Sequence, residues 1–169
     1  MRIISGKHKG RRITAPAKLP VRPTTDMAKE ALFNILNNQY HLSELKVLDL
    51  FSGTGNLAFE FGSRGAKDIT AVDAHFDCVK FIKKTSEELE LPIMAIKSDV
   101  YKYLEKGAMK SDLIFADPPY DFTTDQFGKI AEIIFDRDLL NEDGALIIEH
   151  SKHTDLSQFS HYSHQRKYG

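Results

Sequence analysis

From residue 46 onward, short apolar segments alternate with helical ones. The pattern predicts strands in the segments KVLDLF, DITAVDA, IMAIKSD, DLIFADPPY and GALIIEHS, separated by helical stretches of about 10–15 residues. Apolar strands joined through helices form a parallel sheet that is covered on both faces. We therefore expect an α/β fold with an open, doubly wound, mostly parallel sheet. In such a sheet, ligands bind at the carboxyl ends of the strands.

The first 25 residues differ from the remainder in charge. They contain seven of the 23 Lys and Arg and no acid, which leaves 16 basic and 24 acidic residues in the rest. RIIS and RRITA flank GKHKG as in a small hairpin, and PAKLPVRP predicts an extended linker. We expect residues 1–25 to form a basic hairpin arm with its linker, and residues 26–169 to form the main domain. A basic arm is typical of a polyanion contact, although a solvated arm without a partner would have the same composition.

A helix is predicted directly after the linker. Thr25 or Asp26 can cap it, and it should run to about Asn38. We expect its apolar face to consist of Met27, Ala31, Leu32, Ile35 and Leu36.

Composition narrows the class of protein. Hydrophobic residues make up 41% and charged residues 28%, as in ordinary globular domains. The single Cys78 excludes an internal disulfide and suits a reducing compartment. No apolar run approaches the roughly 18 residues that span a membrane, and the N-terminus lacks the apolar core of a signal peptide. We expect a cytoplasmic protein with no membrane contact, and no metal, because the histidines near residues 150–164 lack zinc-site spacing.

Three of the predicted strands end in residues suited to bind a nucleoside. After the first strand, Gly53 and Gly55 permit a tight turn and a close approach to a ligand. Asp49 on that strand opposes a pyrophosphate but suits a ligand that carries an ammonium group. Asp73 ends the second strand 20 residues after Gly53, the spacing of an acid that binds both hydroxyls of a ribose. Asp99 ends the third strand, where it either accepts a hydrogen bond from an adenine amino group or caps the next helix.

The fourth predicted strand also ends in an acid, within the sequence Asp117-Pro118-Pro119-Tyr120. Several carboxylates in one crevice repel each other unless hydrogen-bond donors or a cation lie among them. An adenosine that carries a sulfonium and an ammonium supplies both.

The segments VLDLFSGTG, AVDA, KSD and FADPPYDF, in this order and spacing, resemble the Rossmann-like S-adenosylmethionine-dependent methyltransferases that modify exocyclic amines. MRIISGKHKGRRI and VRPTTDMAKEALFNIL are similar to a narrower group, the RsmD-type enzymes, which methylate a guanine N2 in bacterial small-subunit (16S) ribosomal RNA. The resemblance implies S-adenosyl-L-methionine as the cofactor and ribosomal RNA or the small ribosomal subunit as the partner.

The resemblance also implies roles for individual residues. The residues expected to bind the cofactor are Asp49, Phe51, Gly53, Gly55, Asp73, Asp99 and Val100. The residues expected to form the catalytic loop are Asp117, Pro118, Pro119 and Tyr120. The residues expected to contact RNA are Arg11, Arg12, Arg22, Thr24 and Thr25.

The catalytic loop has a chemical rationale of its own. The lone pair of a guanine N2 is delocalised into the ring, so this amine is a weak nucleophile. The Asp117 carboxylate and the Pro118 carbonyl can accept its two N–H hydrogens and aim the lone pair at the methyl group. The prolines fix φ near −65°, and Tyr120 can stack on a base that has left its helix.

Other functions share parts of this pattern. The amine could belong to adenine in DNA or RNA, or to a protein side-chain amide, although enzymes for amides more often carry Asn at position 117. A non-catalytic RNA-binding relative is a further alternative, although it should have lost the Gly-rich loop or the Asp-Pro-Pro-Tyr sequence. Methyltransferases of this fold usually end in an antiparallel strand pair. FSHYSHQRKYG could supply one strand of this pair. For the other strand we expect either that its residues have been lost from the sequence or that the sheet is one strand shorter at this edge. The sequence does not indicate an oligomeric state.

Overall fold

The computed structural model describes residues 1–20 and 24–167 of the chain. The helices are α1 (Asp26–Gln39), α2 (Asn56–Ser63), α3 (Phe76–Glu88), α4 (Val100–Lys106) and α5 (Thr124–Asp136), with a short 3₁₀ helix at Leu42–Glu44. The strands are β1 (Lys46–Leu50), β2 (Asp68–Asp73), β3 (Ile93–Lys97), β4 (Ser111–Ala116) and β5 (Leu140–Ile148).

The strands form one sheet in the order β3-β2-β1-β4-β5, and every pairing is parallel. This confirms the predicted α/β fold with an open, doubly wound sheet. β1 is the central strand and pairs with β2 on one side and with β4 on the other. The strands that follow β1 in the chain are thus added first to one side of it and then to the other. That change of side opens a crevice at the carboxyl ends of β1 and β4.

Each face of the sheet has its own apolar core, because the apolar strands place side chains on both faces. One core joins residues of the arm, α1, α2 and α3 to one face; it includes Ile3, Phe33, Phe59, Ile82 and Phe115. The other joins α4 and α5 to the opposite face; it includes Leu50, Leu104, Ile114, Ile130 and Ile134. The site residues at the strand ends are therefore held between two packed layers of helices.

The N-terminal arm is a short hairpin that packs along α2. Arg2 and Arg12 form an antiparallel bridge, and Ile3 lies in the core at 1% exposure. The arm approaches α2 so closely that a Cβ on Gly6, which has φ +91°, would lie 1.9 Å from the carbonyl oxygen of Ser63. Only glycine fits this position. The arm is thus anchored to the body, while the division of the chain at residue 25 stays a prediction.

A buried ion network fastens the arm and α1 to α2. Glu60 accepts hydrogen bonds from the amides of Ile4 (2.9 Å) and Ser5 (3.1 Å). It also contacts Arg64 at 2.8 Å and Lys29 at 3.2 Å. The side chains of Lys29 and Glu60 are both fully buried. Burial alone would raise the pKa of Glu60, but these hydrogen bonds and cations lower it below its ordinary value.

This network corrects the predicted face of α1. The buried residues of the helix are Lys29, Phe33 and Leu36, whereas Met27, placed on the apolar face by the sequence pattern, is 63% exposed. Leu36 is buried as predicted, and Ala31, Leu32 and Ile35 are half-buried, so the predicted face is wrong only at Met27. The pattern also missed Lys29, because a lysine counts as polar and its partner Glu60 lies 31 positions further along the chain. The Thr25 cap is confirmed, since its hydroxyl accepts a hydrogen bond from the Ala28 amide.

The C-terminal region differs from the prediction in two respects. β5 begins at Leu140 rather than near Gly144, and its pairing with β4 shifts register between Ser111 and Leu113. The strand expected within residues 159–169 is wrong for the part that the structure describes, since residues 159–167 contain turns and irregular backbone.

Replacing Glu60 with Gln should destabilise the fold strongly, because it leaves Lys29 buried without its carboxylate. Removing one partner of a buried ion pair costs roughly 3–5 kcal/mol. The folded pKa of Glu60 is lowered, so its contribution is present above the ordinary carboxyl pKa and is lost as the pH falls through the folded pKa. Urea unfolding should therefore show a large difference between wild type and Glu60→Gln at pH 7 and a smaller one in acid.

The exposed Glu88→Gln on α3 is the matched control and should leave stability within about 0.5 kcal/mol of wild type. Equal stability of the Glu60→Gln and Glu88→Gln variants at pH 7 would contradict the role of the network.

Candidate functional site

The loop between β1 and α2 is held to the end of β2 by hydrogen bonds that two of its main-chain amides donate. The Ser52 amide donates to the carbonyl of Val72 at 3.0 Å, and the Gly53 amide donates to the Asp73 carboxylate at 2.9 Å. Gly55 has φ +85°, and a Cβ there would lie 2.9 Å from a side-chain carbon of Ile82. The predicted Gly-rich turn is therefore present and is held in place by the carboxylate predicted to bind the ribose.

Phe51, at the start of this loop, adopts a left-handed conformation with φ +55°. That conformation costs a residue other than glycine on the order of 1–3 kcal/mol and is concentrated at functional sites. Its ring packs edge-on against Phe122 with centroids 5.4 Å apart. The strain turns the chain out of β1 and places an aromatic side chain beside the crevice.

Asp49, Asp73 and Asp117 converge at the carboxyl ends of their strands. Asp49 is opposite Ala71 in β2 and Phe115 in β4, and it is buried with 3% exposure. Burial raises the pKa of Asp49 well above its ordinary value, and the charges of Asp117 and Asp73 raise it further. A site of this kind favours a ligand that brings positive charge.

These residues fit S-adenosylmethionine. The sulfonium and ammonium groups of that molecule match the shared negative charge around Asp49, and the free lone pairs of a carboxylate such as Asp73 suit ribose hydroxyls. His75 adds a further donor or acceptor beside Asp73. Its amide donates to Asp73 at 2.8 Å, and its Nδ1 is buried with no hydrogen-bond partner among the described residues. An orphaned buried polar atom next to the predicted ribose site is what a ligand rich in hydroxyls would satisfy.

Asp99 caps α4, because its carboxylate accepts a hydrogen bond from the Lys102 amide at 3.0 Å. The capping interpretation, which the sequence left open, is therefore confirmed, and its contact with an adenine stays a prediction. Its neighbour Val100 is buried in the core of α4 and α5. Tyr101, the next residue, stacks on Phe122 with an interplanar angle of 5°.

Phe122 lies in the loop after β4, and its ring packs against aromatic residues of the segments that follow β1 and β3. It contacts Phe51, Tyr101 and Phe127 at ring-centroid distances of 5.4, 6.5 and 5.7 Å. Its amide closes a turn by donating to the carbonyl of Pro119 at 3.1 Å. Sequence reasoning missed this residue, although its position two residues after Tyr120 could have suggested it.

The Asp-Pro-Pro-Tyr loop leaves the sheet at the end of β4. Pro118 is buried, whereas Pro119 is exposed and Tyr120 is 76% exposed. A large aromatic ring open to solvent beside buried carboxylates is suited to stack on a planar ligand. The geometry therefore agrees with the predicted catalytic loop, while the role of each residue stays a prediction.

A fifth acid at this edge of the sheet was also missed. Glu149 directly follows β5, and its amide donates to the carbonyl of Ala116 at 2.9 Å. The strand-end acid that the sequence revealed in four strands is thus present in all five. The same signal, an acid after the apolar run ALII, could have found it.

The residues predicted to contact RNA lie on the arm and at the start of α1. Arg11 and Arg12 are exposed. Thr24 is half-buried and Thr25 is exposed as the cap of α1. Arg22 lies outside the described residues. The backbone β-bridge between Arg2 and Arg12 lies beside the first turn of α2. Lys29 joins the two, since its ammonium donates to the Arg2 carbonyl at 2.6 Å and to the Asn56 side chain at 2.8 Å.

Two other kinds of site receive no support from the described residues. Within 1–20 and 24–167, no group of three His, Cys, Asp or Glu side chains is placed to hold a metal ion. Burial raises the pKa of the Cys78 thiol to about 11, so it is protonated at neutral pH and unsuited to act as a nucleophile. None of the described helices is both long and apolar enough to cross a membrane.

Comparison with known proteins places the chain among methyltransferases. The profile of the family described as "Conserved hypothetical protein 95" matches residues 1–169. YlbH of Bacillus subtilis (strain 168), provisionally named an rRNA methyltransferase, is 34% identical over 163 residues, which cover 94% of this chain and 86% of YlbH. Ribosomal RNA small subunit methyltransferase D of Buchnera aphidicola subsp. Baizongia pistaciae (strain Bp) is 35% identical over 124 residues, which cover 73% of this chain and 63% of that protein.

The solved structure of yhhF from Escherichia coli, provisionally named a methyltransferase, has the same fold. It superposes with a TM-score of 0.84 and 24% sequence identity, over 100% of this chain and 92% of yhhF. The parallel sheet with its helical layers is therefore a Rossmann-like methyltransferase fold.

Replacing Asp49 with Asn should stabilise the protein and weaken its cofactor binding. The folded pKa of Asp49 is raised, so the ionised carboxylate destabilises the fold increasingly as the pH rises above its unfolded pKa. The thermal midpoint of Asp49→Asn should exceed that of wild type at pH 8 and converge with it in acid. Its affinity for S-adenosylmethionine should fall roughly 10–100-fold, the cost of losing a charge-assisted contact. Titration calorimetry and thermal unfolding test both parts.

The matched control is Asp68→Asn, which removes one negative charge at an exposed position. Asp68 is the first residue of β2, at the edge of the sheet away from the site. Asp112→Asn is unsuitable because the Asp112 carboxylate accepts a hydrogen bond from the Lys46 amide. An Asp49→Asn variant that matched Asp68→Asn in both measurements would remove Asp49 from the site.

Proposed function

The chain belongs to the conserved hypothetical protein 95 family, the RsmD family, and we propose that it methylates the exocyclic N2 of a guanine in small-subunit (16S) ribosomal RNA. S-adenosyl-L-methionine is its cofactor, and ribosomal RNA, free or within the small subunit, is its partner. We expect it to act in the cytoplasm, where ribosomal subunits are assembled.

One observation carries the proposal. The Asp-Pro-Pro-Tyr loop leaves β4 directly beside Asp49, since Asp49 pairs with Phe115 two residues before Asp117. The charge of Asp117 raises the pKa of Asp49, so the predicted amine-binding acid lies within electrostatic reach of the predicted cofactor pocket. Methyl transfer requires the amine site and the cofactor site to be neighbours, and this pairing supports that arrangement.

When bound beside Asp49 and the Gly-rich loop, S-adenosyl-L-methionine would supply an electrophilic methyl group for the N2 lone pair; its sulfur would keep the C–S electrons, and N2 would give up one proton. Asp117 and the Pro118 carbonyl accept the two N2 hydrogens and so orient the lone pair. Asp117 also stabilises the positive charge that develops on nitrogen and is placed to take the departing proton. The buried Pro118 fixes the backbone of the loop, and the exposed Tyr120 supplies a stacking surface for the base.

The arm favours RNA as the carrier of the amine. Arg11 and Arg12 are exposed on a hairpin whose backbone is anchored to Glu60, so their attachment points are held on the same framework as the crevice. The Arg2–Arg12 bridge lies at the end of α2 nearest the Gly-rich loop. A phosphate backbone held there would run past the mouth of the site.

The proposed reaction is tested by supplying labelled S-adenosylmethionine with undermethylated small subunits or with naked 16S ribosomal RNA. We expect label in N2-methylguanosine after digestion to nucleosides. Label in N6-methyladenosine or in protein would replace the proposed target, and no transfer to any of these substrates by a protein that binds the cofactor would contradict it.

Asp117→Ala should lower the rate of methyl transfer by roughly 10²–10³-fold, the effect of removing one stabilising contact in a reactive site. Its affinity for S-adenosylmethionine should stay within about threefold of wild type. Asp121→Ala, at an exposed position four residues further on, is the matched control and should retain wild-type turnover. Single-turnover rates and calorimetric affinities measure the two effects; wild-type turnover of Asp117→Ala would exclude Asp117 from the mechanism.

Replacing Arg11 and Arg12 together with Gln should weaken RNA binding and reduce its salt dependence. Two lost phosphate contacts should lower the slope of log K against log salt by about 1.4–1.8. Point substitutions are preferable to deletion of the arm, because Ile3 and Ile13 belong to the core. Filter binding from 50 to 300 mM salt measures the slope.

The control for this experiment is Lys106→Gln with Lys110→Gln, two exposed positions at the amino-terminal edge of the sheet. An identical salt slope for the arginine variant and this control would show that the arm does not contact RNA.

A further inference from the structure

We infer that Glu149 reads the N1 hydrogen of the target guanine and so selects guanine over other bases that carry an exocyclic amine. The inference rests on the proposed function and adds a specificity-determining residue to it. Glu149 lies after β5, in the part of the site that the sequence pattern did not identify.

The pairing of β5 with β4 places Glu149 beside the catalytic loop. Ala116 is opposite Ile148, and the Glu149 amide donates to the Ala116 carbonyl at 2.9 Å. This bond extends the pairing one residue beyond β5, to the last residue of β4, which Asp117 directly follows. Because neighbouring strands lie about 4.8 Å apart, Glu149 and Asp117 are adjacent across the ladder.

Asp117 and Glu149 lie at the edge of the sheet that also holds Asp49. Phe115 pairs with both Ile147 and Asp49, and each of the two acids follows by two residues a residue level with Asp49. Both acids therefore lie at the same ends of neighbouring strands as the proposed cofactor site.

Glu149 and the catalytic loop also face a common cleft. The small cleft of about 10 Å³ is lined by Pro118, Pro119 and Tyr120 on one side, and by Phe127 and residues 149–151 and 154 on the other. The cleft is about the size of one water molecule, so a base would stack on the exposed Tyr120 outside it, with its edge toward Glu149 at the cleft wall. Glu149 is half-buried there, so water screens its interactions only partly.

The hydrogen-bonding edge of guanine matches two neighbouring acceptors. Guanine presents N1–H beside the N2 amine, so three hydrogens line up on one edge. An ionised carboxylate only accepts hydrogen bonds. Asp117 with the Pro118 carbonyl can take the N2 hydrogens, and Glu149 can take N1–H. In adenine the corresponding ring nitrogen is itself an acceptor and would oppose the carboxylate, which is a cost against the wrong base.

The base 2-aminopurine keeps the N2 amine but has an unprotonated N1 and no O6. The part of the preference for guanine that Glu149 variants lose therefore reports the contact with N1. The experiment uses 16S ribosomal RNA that carries guanine or 2-aminopurine at the position found by mapping the labelled methyl group. We expect wild type to prefer guanine roughly 10–100-fold in kcat/KM, the worth of one hydrogen bond to a charged group. Glu149→Gln lacks the carboxylate charge, so it should methylate guanine roughly 10–100-fold more slowly. Its amide can accept from N1–H or donate to an unprotonated N1, so it should also lose most of the preference for guanine.

Glu142→Gln, an exposed acid near the start of β5, is the matched control and should keep both the rate and the preference of wild type. Glu149→Ala should lose rate on guanine while its affinity for S-adenosylmethionine and its thermal midpoint stay near wild type. These readouts separate base selection from a structural role.

Each outcome decides the inference. A slower Glu149→Gln that keeps the full preference for guanine would show a structural or general role and overturn it, as would wild-type behaviour of that variant. Failure of wild type to methylate any guanine N2 would instead overturn the proposed function, and it would appear before any Glu149 variant is compared.

Discussion

The site depends on the parallel pairing of β1 with β2 on one side and with β4 on the other. This pairing puts Asp49 between the ends of two neighbouring strands, where burial and the charges of Asp73 and Asp117 raise its pKa. The fold holds three carboxylates together at a cost in free energy. A ligand that carries a sulfonium and an ammonium offsets that cost. The burial of Asp49, the largest part of the cost, is therefore also a source of affinity for the cofactor.

The buried network around Glu60 gives the arm its relation to this site. Lys29 contacts Glu60, the Arg2 carbonyl and Asn56, the first residue of the helix after the Gly-rich loop. The basic hairpin is therefore fixed to the element that shapes the proposed cofactor pocket. RNA held by the arm and a base held by the catalytic loop would be positioned by the same rigid framework.

Local patterns predicted the sheet, the helices and four of the five acids at its carboxyl edge, because strand period and turn glycines are encoded over a few residues. Contacts between distant segments were not predictable in this way. The burial of Lys29 follows from Glu60, and the packing of Phe122 from Phe51 and Tyr101. The late start of β5 likewise depends on a register shift against β4. Glu149 is different, because the local signal that indicated the other four acids also applies to it.

Calorimetric titration of the wild-type protein with S-adenosylmethionine between pH 5 and pH 7 tests the carboxylate site most directly. A protonated Asp49 must release its proton to face a cationic ligand, so the account predicts one bound cofactor, tighter binding as the pH rises, and proton release that depends on buffer ionisation heat. S-adenosylhomocysteine, which lacks the sulfonium charge, should bind with a weaker pH dependence. Absence of binding, or an affinity for S-adenosylmethionine that is the same at every pH, would contradict the account.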